Sequence, residues 1–257
     1  MAEVGVAGHL GCFIVDTGCG LTSLDAGWAA SIGIVPNDTQ QTVHGTDAVA
    51  TSFATAPSLR VGDVLLENTQ VLLLPLAGVS EHLGMQVDGV AGYDILSRGI
   101  VAIDFREDTM SILDEYDGAG FVIPVDLTYR IPIAQATIAI DETTELTARM
   151  ALDLGSGTFD VRLVGAFVDT HDEILSALPS TAGPFGTGVG GAIEGRMTRF
   201  RSVRVGDFVI DHPTAGITND RRGALGLGIF DGTVGANVFA GKRLILDYAR
   251  SRVIIEP

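Results

Sequence analysis

Two short acidic turns constrain the fold of this chain more than any other feature. Phe13–Gly20 and Met150–Gly157 each form an apolar run that ends in an aspartate, with a glycine two residues later. The apolar run predicts a buried strand, and glycine lets the backbone reverse sharply, so Asp16 and Asp153 should stand at the tips of their turns. Two such turns predict a duplicated lobe whose aspartates meet at the seam. Because two close carboxylates cannot both ionise cheaply, we expect the pair to share a proton.

Three further blocks recur in the second half of the chain, in the same order and at nearly the same spacing. Ser58–Asp63 recurs as Ser202–Asp207, Asp88–Gly92 as Asp231–Gly235, and Ile103–Phe105 as Leu246–Tyr248. Ordered recurrence of this kind is the sequence signature of internal duplication. We therefore predict two lobes, residues 1–115 and 116–257, joined by the polar stretch 114–120.

The local patterns are typical of a mainly β protein. Short β-forming runs separated by glycine-rich turns predict hairpins throughout both halves. Helices are predicted over Leu24–Ser31 and Val164–Leu178, and the segment Asp88–Leu96 is predicted to be an apolar strand that leads into a short helix. The segment Pro179–Pro184 is not predicted to be a strand.

Charge and hydropathy argue against several classes of partner. The chain of 257 residues carries 16 basic and 32 acidic residues, a formal net charge of −16. Nucleic acid and anionic membrane surfaces are therefore poor partners. No stretch reaches the roughly 18 consecutive apolar residues of a membrane span. The first residues lack a basic and then apolar leader, so we expect no signal peptide in this chain. A periplasmic or secreted location stays open if a leader has been removed.

Cysteine and histidine patterns give no support to a metal site. Cys12 and Cys19 are the two cysteines, too few for a disulfide framework or a four-ligand zinc site, so we expect two free thiols. The five histidines show no H-x-x-x-H spacing, and no Gly-x-Ser-x-Gly turn is present for serine hydrolysis.

The paired turns and their ordered blocks resemble the retropepsin-like aspartic peptidases, specifically the bacterial type in which both lobes lie in one chain. Each lobe of that family has an apolar-apolar-Asp-Thr/Ser-Gly turn, a flap hairpin, and an apolar-apolar-Gly strand beneath the turn. Here the turns are Ile14–Gly18 and Ala151–Gly155, and the strands beneath them are Val90–Gly92 and Thr233–Gly235. The resemblance spans nearly the whole chain and implies a pepsin/retropepsin-like, two-lobed fold with pseudo-twofold symmetry.

The resemblance also implies an aspartic endopeptidase that needs no metal and no cofactor. Asp16 and Asp153 would activate a water against a peptide bond, in a monomer that acts on peptide or protein substrates. The implied flap residues are His44, Gly45, Thr46, Gly190 and Gly191. The implied supports of the aspartate pair are Thr17, Gly18, Leu154, Gly155, Ser156, Gly92 and Gly235.

One residue departs from the family pattern. The family has Thr or Ser after each catalytic aspartate, and that hydroxyl braces the opposite turn. Thr17 can do so, whereas Leu154 has no hydroxyl. We expect an asymmetric aspartate pair, with Ser156 as a further donor to Asp153 and Cys19 as a weaker donor at the matching position.

Three other functions stay open at this point. Because of Leu154, the fold could serve as an inactive peptide-binding protein. Leu152–Val161 also resembles a phosphate-binding segment of the actin and chaperone ATPases, although the predicted helix content is low for that fold. Gly186–Gly191 fits G-x-G-x-x-G, but no strand-then-helix context is predicted around it, so a mobile flap is the better interpretation.

Overall fold

The computed structural model describes residues 1–44, 48–188 and 191–257, and within them the chain is mainly β, as the sequence predicts. Its strands form three sheets. One sheet belongs to each half of the chain, and the third joins strands from both halves.

The first sheet forms a barrel. Its strands are β1 (Ala2–Val6), β2 (His9–Val15), β3 (Ser23–Asp25), β4 (Pro36–His44), β5 (Ala48–Val61), β6 (Val64–Leu74) and β7 (Gly89–Ala91). The order is β1-β2-β7-β3-β6-β5-β4, and β1 also pairs with β5. That pairing closes six strands into a ring and leaves β4 outside. Three short helices accompany it: α1 (Ala26–Ser31), α2 (Ala77–Leu83) and α3 (Tyr93–Leu96).

A hairpin and a single strand then lead into the second half. They are β8 (Ile100–Asp104), β9 (Thr109–Leu113) and β10 (Phe121–Pro124). The predicted linker at 114–120 falls between β9 and β10. The predicted lobe boundary stays a prediction.

The second sheet has nine strands and forms a half-barrel. Its strands are β11 (Ile133–Ala139), β12 (Glu145–Asp153), β13 (Val161–Val164), β14 (Thr181–Gly188), β15 (Gly191–Arg199), β16 (Ser202–Val205), β17 (Phe208–Asp211), β18 (Thr214–Thr218) and β19 (Gly232–Gly235). The order is β14-β15-β18-β13-β19-β12-β11-β16-β17. Helices α4 (Gly165–Thr170) and α5 (Asp172–Ser176) pack beside it, and 3-10 turns occupy Gly223–Gly226, Ala236–Phe239 and Tyr248–Arg250.

The third sheet holds the two halves together. β20 (Arg243–Asp247) and β21 (Arg252–Glu256) complete it in the order β10-β21-β20-β8-β9. β8 pairs antiparallel with β20, with Ile103 opposite Leu244. The recurring blocks at Ile103 and Leu246 therefore lie in neighbouring strands of one sheet.

The core follows the alternation of the strands. In β12, Met150 and Leu152 are buried in the large cluster of the second half, while Ala151 points to the other face and joins a smaller cluster. Phe13 and Leu24 fill the barrel of the first half. This alternation leaves the aspartate at the end of each central strand on the face away from the core.

Three local predictions are wrong. Leu24 lies in β3, because it pairs with Leu73 inside the barrel and is fully buried there. The helix predicted over Val164–Leu178 is two helices that meet at His171, since the backbone ends α4 there and starts again at Asp172. β14 begins at Thr181, within the segment not predicted as a strand. It is an edge strand, where proline is tolerated.

Candidate active site

The two acidic turns meet at the seam between the halves. Asp16 follows β2, and its N–H donates to the Ala91 carbonyl at 3.0 Å. Asp153 ends β12 beside Gly235, in the equivalent parallel pairing of β12 with β19. A parallel neighbour beneath each turn fixes where the central strand ends, so both carboxyl groups are held at the same level.

Hydrogen bonds from one turn to the other lock the pair together. The Thr17 hydroxyl donates to the Leu152 carbonyl oxygen at 2.6 Å and accepts from the Leu154 N–H at 3.0 Å. The Gly155 N–H donates to Asp16 Oδ1 at 3.2 Å. Thr17 is almost fully buried, so these bonds are shielded from water.

Both turn glycines are required by the close approach of the opposite aspartate. A Cβ on Gly18 would lie 2.7 Å from Asp153 Oδ1, and one on Gly155 would lie 2.5 Å from Asp16 Oδ2. Each glycine N–H also donates to the aspartate of its own turn, at 2.7 Å to Asp16 and 3.0 Å to Asp153. These donors favour the ionised form of the pair.

The two carboxyl groups interact directly and are not equivalent. Burial, followed by the negative charge of Asp153, raises the pKa of Asp16 to about 8, and the two side chains are hydrogen-bonded. Burial also raises the pKa of Asp153, but the positive charge of Arg162 and the hydrogen bond from Asp16 oppose that rise. Arg162 thus opposes the rise at Asp153, whereas the charge of Asp153 adds to the rise at Asp16.

Sequence reasoning missed Arg162. It lies in β13 between the buried residues Val161 and Leu163, and burial lowers its pKa while Asp153 raises it. A lone arginine in an apolar strand was the available signal, because such a cation is costly to bury without a partner.

Leu154 occupies the position where the family has a hydroxyl. Its side chain packs against the large core cluster and lines a cleft of about 710 Å³ between the two halves. Ile14, Phe105 and Met110 line the same cleft. The brace is therefore one-sided, with Thr17 making both bonds.

The other predicted supports lie close to the turns. The Ser156 N–H stabilises ionised Asp153, whereas the Cys19 thiol donates to the Leu21 carbonyl at 3.0 Å rather than to Asp16. Burial raises the pKa of the Cys19 thiol to about 12, and both cysteines are free. Gly92 and Gly235 precede N–H groups that donate to the two turns: Tyr93 N–H to the Cys19 carbonyl at 2.9 Å, and Ala236 N–H to the Ser156 carbonyl at 2.7 Å.

Two hairpins occupy the predicted flap positions. β4 and β5 pair up to His44 opposite Ala48, and β14 and β15 pair up to Gly188 opposite Gly191. Gly45, Thr46 and Gly190 lie outside the described residues. Gly186 and Gly188 lie in β14, and Gly191 begins the strand β15 rather than a helix.

Among the described residues, no group of three or more His, Cys, Asp and Glu side chains is arranged to hold a metal ion. The helices in the same part of the chain all fall short of the length and apolar character that crossing a bilayer requires.

Comparison with known protein families gives a match to part of the first half of the chain. Residues 2–95 match the family model described as Aspartyl protease. The matched range includes the first acidic turn, the β4–β5 hairpin and Gly92. No curated protein matches the chain.

Proposed function

Because the match over residues 2–95 supports a retropepsin-like aspartyl protease family for this chain, we propose that the protein is an aspartic endopeptidase whose catalytic pair is Asp16 and Asp153. The observation that carries the proposal is the interlocking of the two turns at the seam. Thr17 ties one turn to the other, and the Gly155 N–H reaches Asp16 across the seam. This arrangement supplies one acid and one base within reach of a single water.

The electrostatics support distinct roles for the two aspartates. Asp153 is the ionised partner, because Arg162 lowers the free energy of its carboxylate. Asp16 is the protonated partner, because burial and the neighbouring charge raise its pKa to about 8. An acid and a base with separated proton affinities are what hydrolysis near neutral pH requires.

The reaction balances without any further group. Asp153 takes a proton from the water as the water oxygen bonds to the carbonyl carbon, and Asp16 gives its proton to the carbonyl oxygen. The tetrahedral intermediate then collapses as its C–N bond breaks. Asp153 donates the proton it took to the leaving nitrogen, and Asp16 recovers its proton from the hydroxyl of the intermediate.

The substrate is proposed to bind as an extended peptide beneath the two hairpins. Hairpin residues His44, Gly45, Thr46, Gly190 and Gly191 would close over it and add strand-like backbone hydrogen bonds. The remaining supports act on the pair itself, and Thr17 holds the alignment that Leu154 does not.

A second candidate is a peptide-binding protein on the same fold that does not catalyse hydrolysis. The observation that favours it is Leu154, which leaves the brace one-sided. Small displacements of catalytic groups can cost large factors in rate. Such a protein would retain peptides without cleaving them.

The test compares the wild type with Asp16→Asn and Asp153→Asn on a pooled peptide library across about pH 3 to pH 9, with cleavage sites read by mass spectrometry. Each variant should lose at least about 10³-fold in turnover, because neither can complete the proton transfers. Asp63→Asn is the matched control, since Asp63 lies in the exposed turn between β5 and β6. It should cleave like the wild type.

The alternatives give different results. If the wild type retains library peptides at every pH and cleaves none, the protein is a binder. If Asp153→Asn alone cleaves normally, the pairing of the two turns is wrong. Stabilisation by nucleotide instead of peptide would favour the ATPase interpretation.

A further inference from the structure

A row of four residues crosses four neighbouring strands of the second half, just below Asp153. The strand registers place Ala151 of β12 beside Thr233 of β19, Thr233 beside Arg162 of β13, and Arg162 beside Gly216 of β18. Residues paired in this way point to the same face of a sheet. Ala151 is two residues before Asp153 in one strand, so the row and the aspartate share that face.

The first half contains the equivalent row with different chemistry. There Ile14 of β2 pairs with Val90 of β7, Val90 with Ser23 of β3, and Ser23 with Leu72 of β6. Ile14, Val90 and Leu72 belong to one apolar cluster there.

The differences between the two rows are coordinated. Where the first half has the small Ser23, the second half has the long cationic Arg162. Beside it, leucine is replaced by Gly216, and at the far end of the row isoleucine is replaced by Ala151, which leaves room for the longer side chain. Valine is replaced by Thr233, which keeps the shape and adds a hydroxyl. The second row therefore carries polar side chains where the first has apolar packing.

Two polar atoms of this row lack partners within the described part of the chain. Arg162 Nε and Thr233 Oγ1 are both buried, and neither has a hydrogen bond there. No salt bridge joins Arg162 to another described residue, and Asp153 is the charged group whose field acts on it. A buried N–H and a buried hydroxyl that lack hydrogen-bond partners are costly, so a ligand that pairs with both atoms would be bound favourably.

We propose that Arg162 and Thr233 bind a carboxylate of the substrate peptide and give the proposed peptidase a preference for acidic substrates. This inference rests on the proposed function for its substrate, and on the strand registers and unpartnered atoms for its chemistry. A guanidinium donates two parallel N–H bonds to a carboxylate, and a threonine hydroxyl adds a third donor. Ala151, in the same row, belongs to an apolar cluster, and low-dielectric surroundings strengthen that attraction.

Two sources supply a carboxylate in a peptide: a glutamate or aspartate side chain, or the free C-terminus. The measurement separates them with three sets of labelled peptides from one pooled scaffold. One set carries Glu and an amidated C-terminus, the second carries Gln and an amidated C-terminus, and the third carries Gln and a free C-terminus. Each set is assayed for kcat/KM and, by fluorescence anisotropy, for binding.

Wild type should favour a carboxylate set over the amidated Gln set by about 10- to 100-fold, the range expected of a charged hydrogen-bonded pair. Arg162→Met should bring that ratio close to one, and Thr233→Val, which is isosteric, should lower it by about 3- to 10-fold. Arg204→Met is the matched control, because Arg204 lies exposed in β16. It should keep the wild-type ratio. Thermal melting of each variant reports whether it is folded.

Failure of this inference and failure of the proposed function give different results. A wild-type ratio near one, or a ratio that Arg162→Met leaves unchanged, overturns the inference. The inference is also overturned if Arg162→Met lowers kcat/KM equally on all three peptide sets and shifts the acidic limb of the pH profile. Arg162 would then be a positioning residue for Asp153. If no set is cleaved, the proposed function fails, and the binding ratios alone decide whether Arg162 selects a carboxylate.

Discussion

The two halves of this protein share the connectivity of their strands but differ in whether those strands are continuous. In the first half, β5 and β6 run unbroken and close a barrel through β1. In the second half the equivalent strands are interrupted, between β15 and β16 at 200–201 and between β17 and β18 at 212–213. β16 still pairs with β11 as β5 pairs with β1, so the connectivity is preserved although the strands are broken.

The interruption has identifiable causes. Pro213 has no N–H to donate to a ladder, and His212 adopts a positive φ of 48°. Phe200 is buried in the core at the opposite break, and its N–H donates to the Pro213 carbonyl at 3.3 Å. The two breaks thus form one corner, which opens the second half into a half-barrel.

The two halves also differ in what they contribute to the candidate active site. The first turn supplies the hydroxyl that braces both turns, and the second supplies backbone partners and the cation behind its aspartate. Duplication therefore kept the backbone frame and let the side chains diverge. Each half contributes what the other lacks.

Among changes that leave both aspartates in place, the largest expected effect comes from removing the Thr17 hydroxyl, which braces the two turns. Thr17→Val keeps the shape but leaves the buried Leu152 carbonyl and Leu154 N–H without their partner. We expect a loss of about 2–4 kcal/mol in unfolding free energy and about 10²-fold in kcat. Urea unfolding and steady-state kinetics measure both.

Thr17→Ser is the control for this change, because it retains the hydroxyl and should restore most of the activity. If Thr17→Val stays within twofold of the wild type in kcat, the brace is not what aligns the pair. The asymmetry between the halves would then carry no catalytic meaning.

An effect of intermediate size is expected on the pH dependence of stability, which should differ between substitutions of the two aspartates. The folded-state pKa of Asp16 is raised to about 8, above its ordinary value, so its contribution to stability is complete at low pH and is lost as pH rises toward 8. Asp16→Asn should therefore be more stable than the wild type at about pH 8 by roughly 1–3 kcal/mol, and the gain should vanish near about pH 4.

Asp153→Asn should gain less unfolding free energy at the same pH, because it removes the carboxylate that compensates the charge of Arg162. Thermal melting of both variants from about pH 4 to about pH 9 measures the difference. Equal stabilisation by the two substitutions would show that Arg162 does not distinguish the aspartates. Activity of the wild type should fall above about pH 8 as Asp16 ionises.

The smallest effect should come from making the halves more alike. Leu154→Thr supplies the missing hydroxyl but gives up part of the packing of Leu154 against the core. These terms oppose each other, so we expect a stability change within about 1 kcal/mol and a rise in kcat of about two- to fivefold. Leu154→Val, which has no hydroxyl, is the control. A fall in kcat with Leu154→Thr would mean that the cleft requires an apolar side chain there.

The sequence by itself determined the mainly β class, the duplication and the pairing of the two acidic turns. These follow from local signals, since an apolar run, an aspartate and a glycine in fixed order leave the backbone few alternatives. The exchange of Thr17 for Leu154 was equally visible, because it compares matching positions within one chain.

Only the tertiary structure decided the rest. Leu24 forms a strand because the barrel pairs it with Leu73, which no local propensity contains. The row of Ala151, Thr233 and Arg162 joins residues distant in sequence, and the register of three strands brings them to one face. Burial then sets the charge of each group, so the difference between Asp16 and Asp153 arises from neighbours that the chain supplies only when folded.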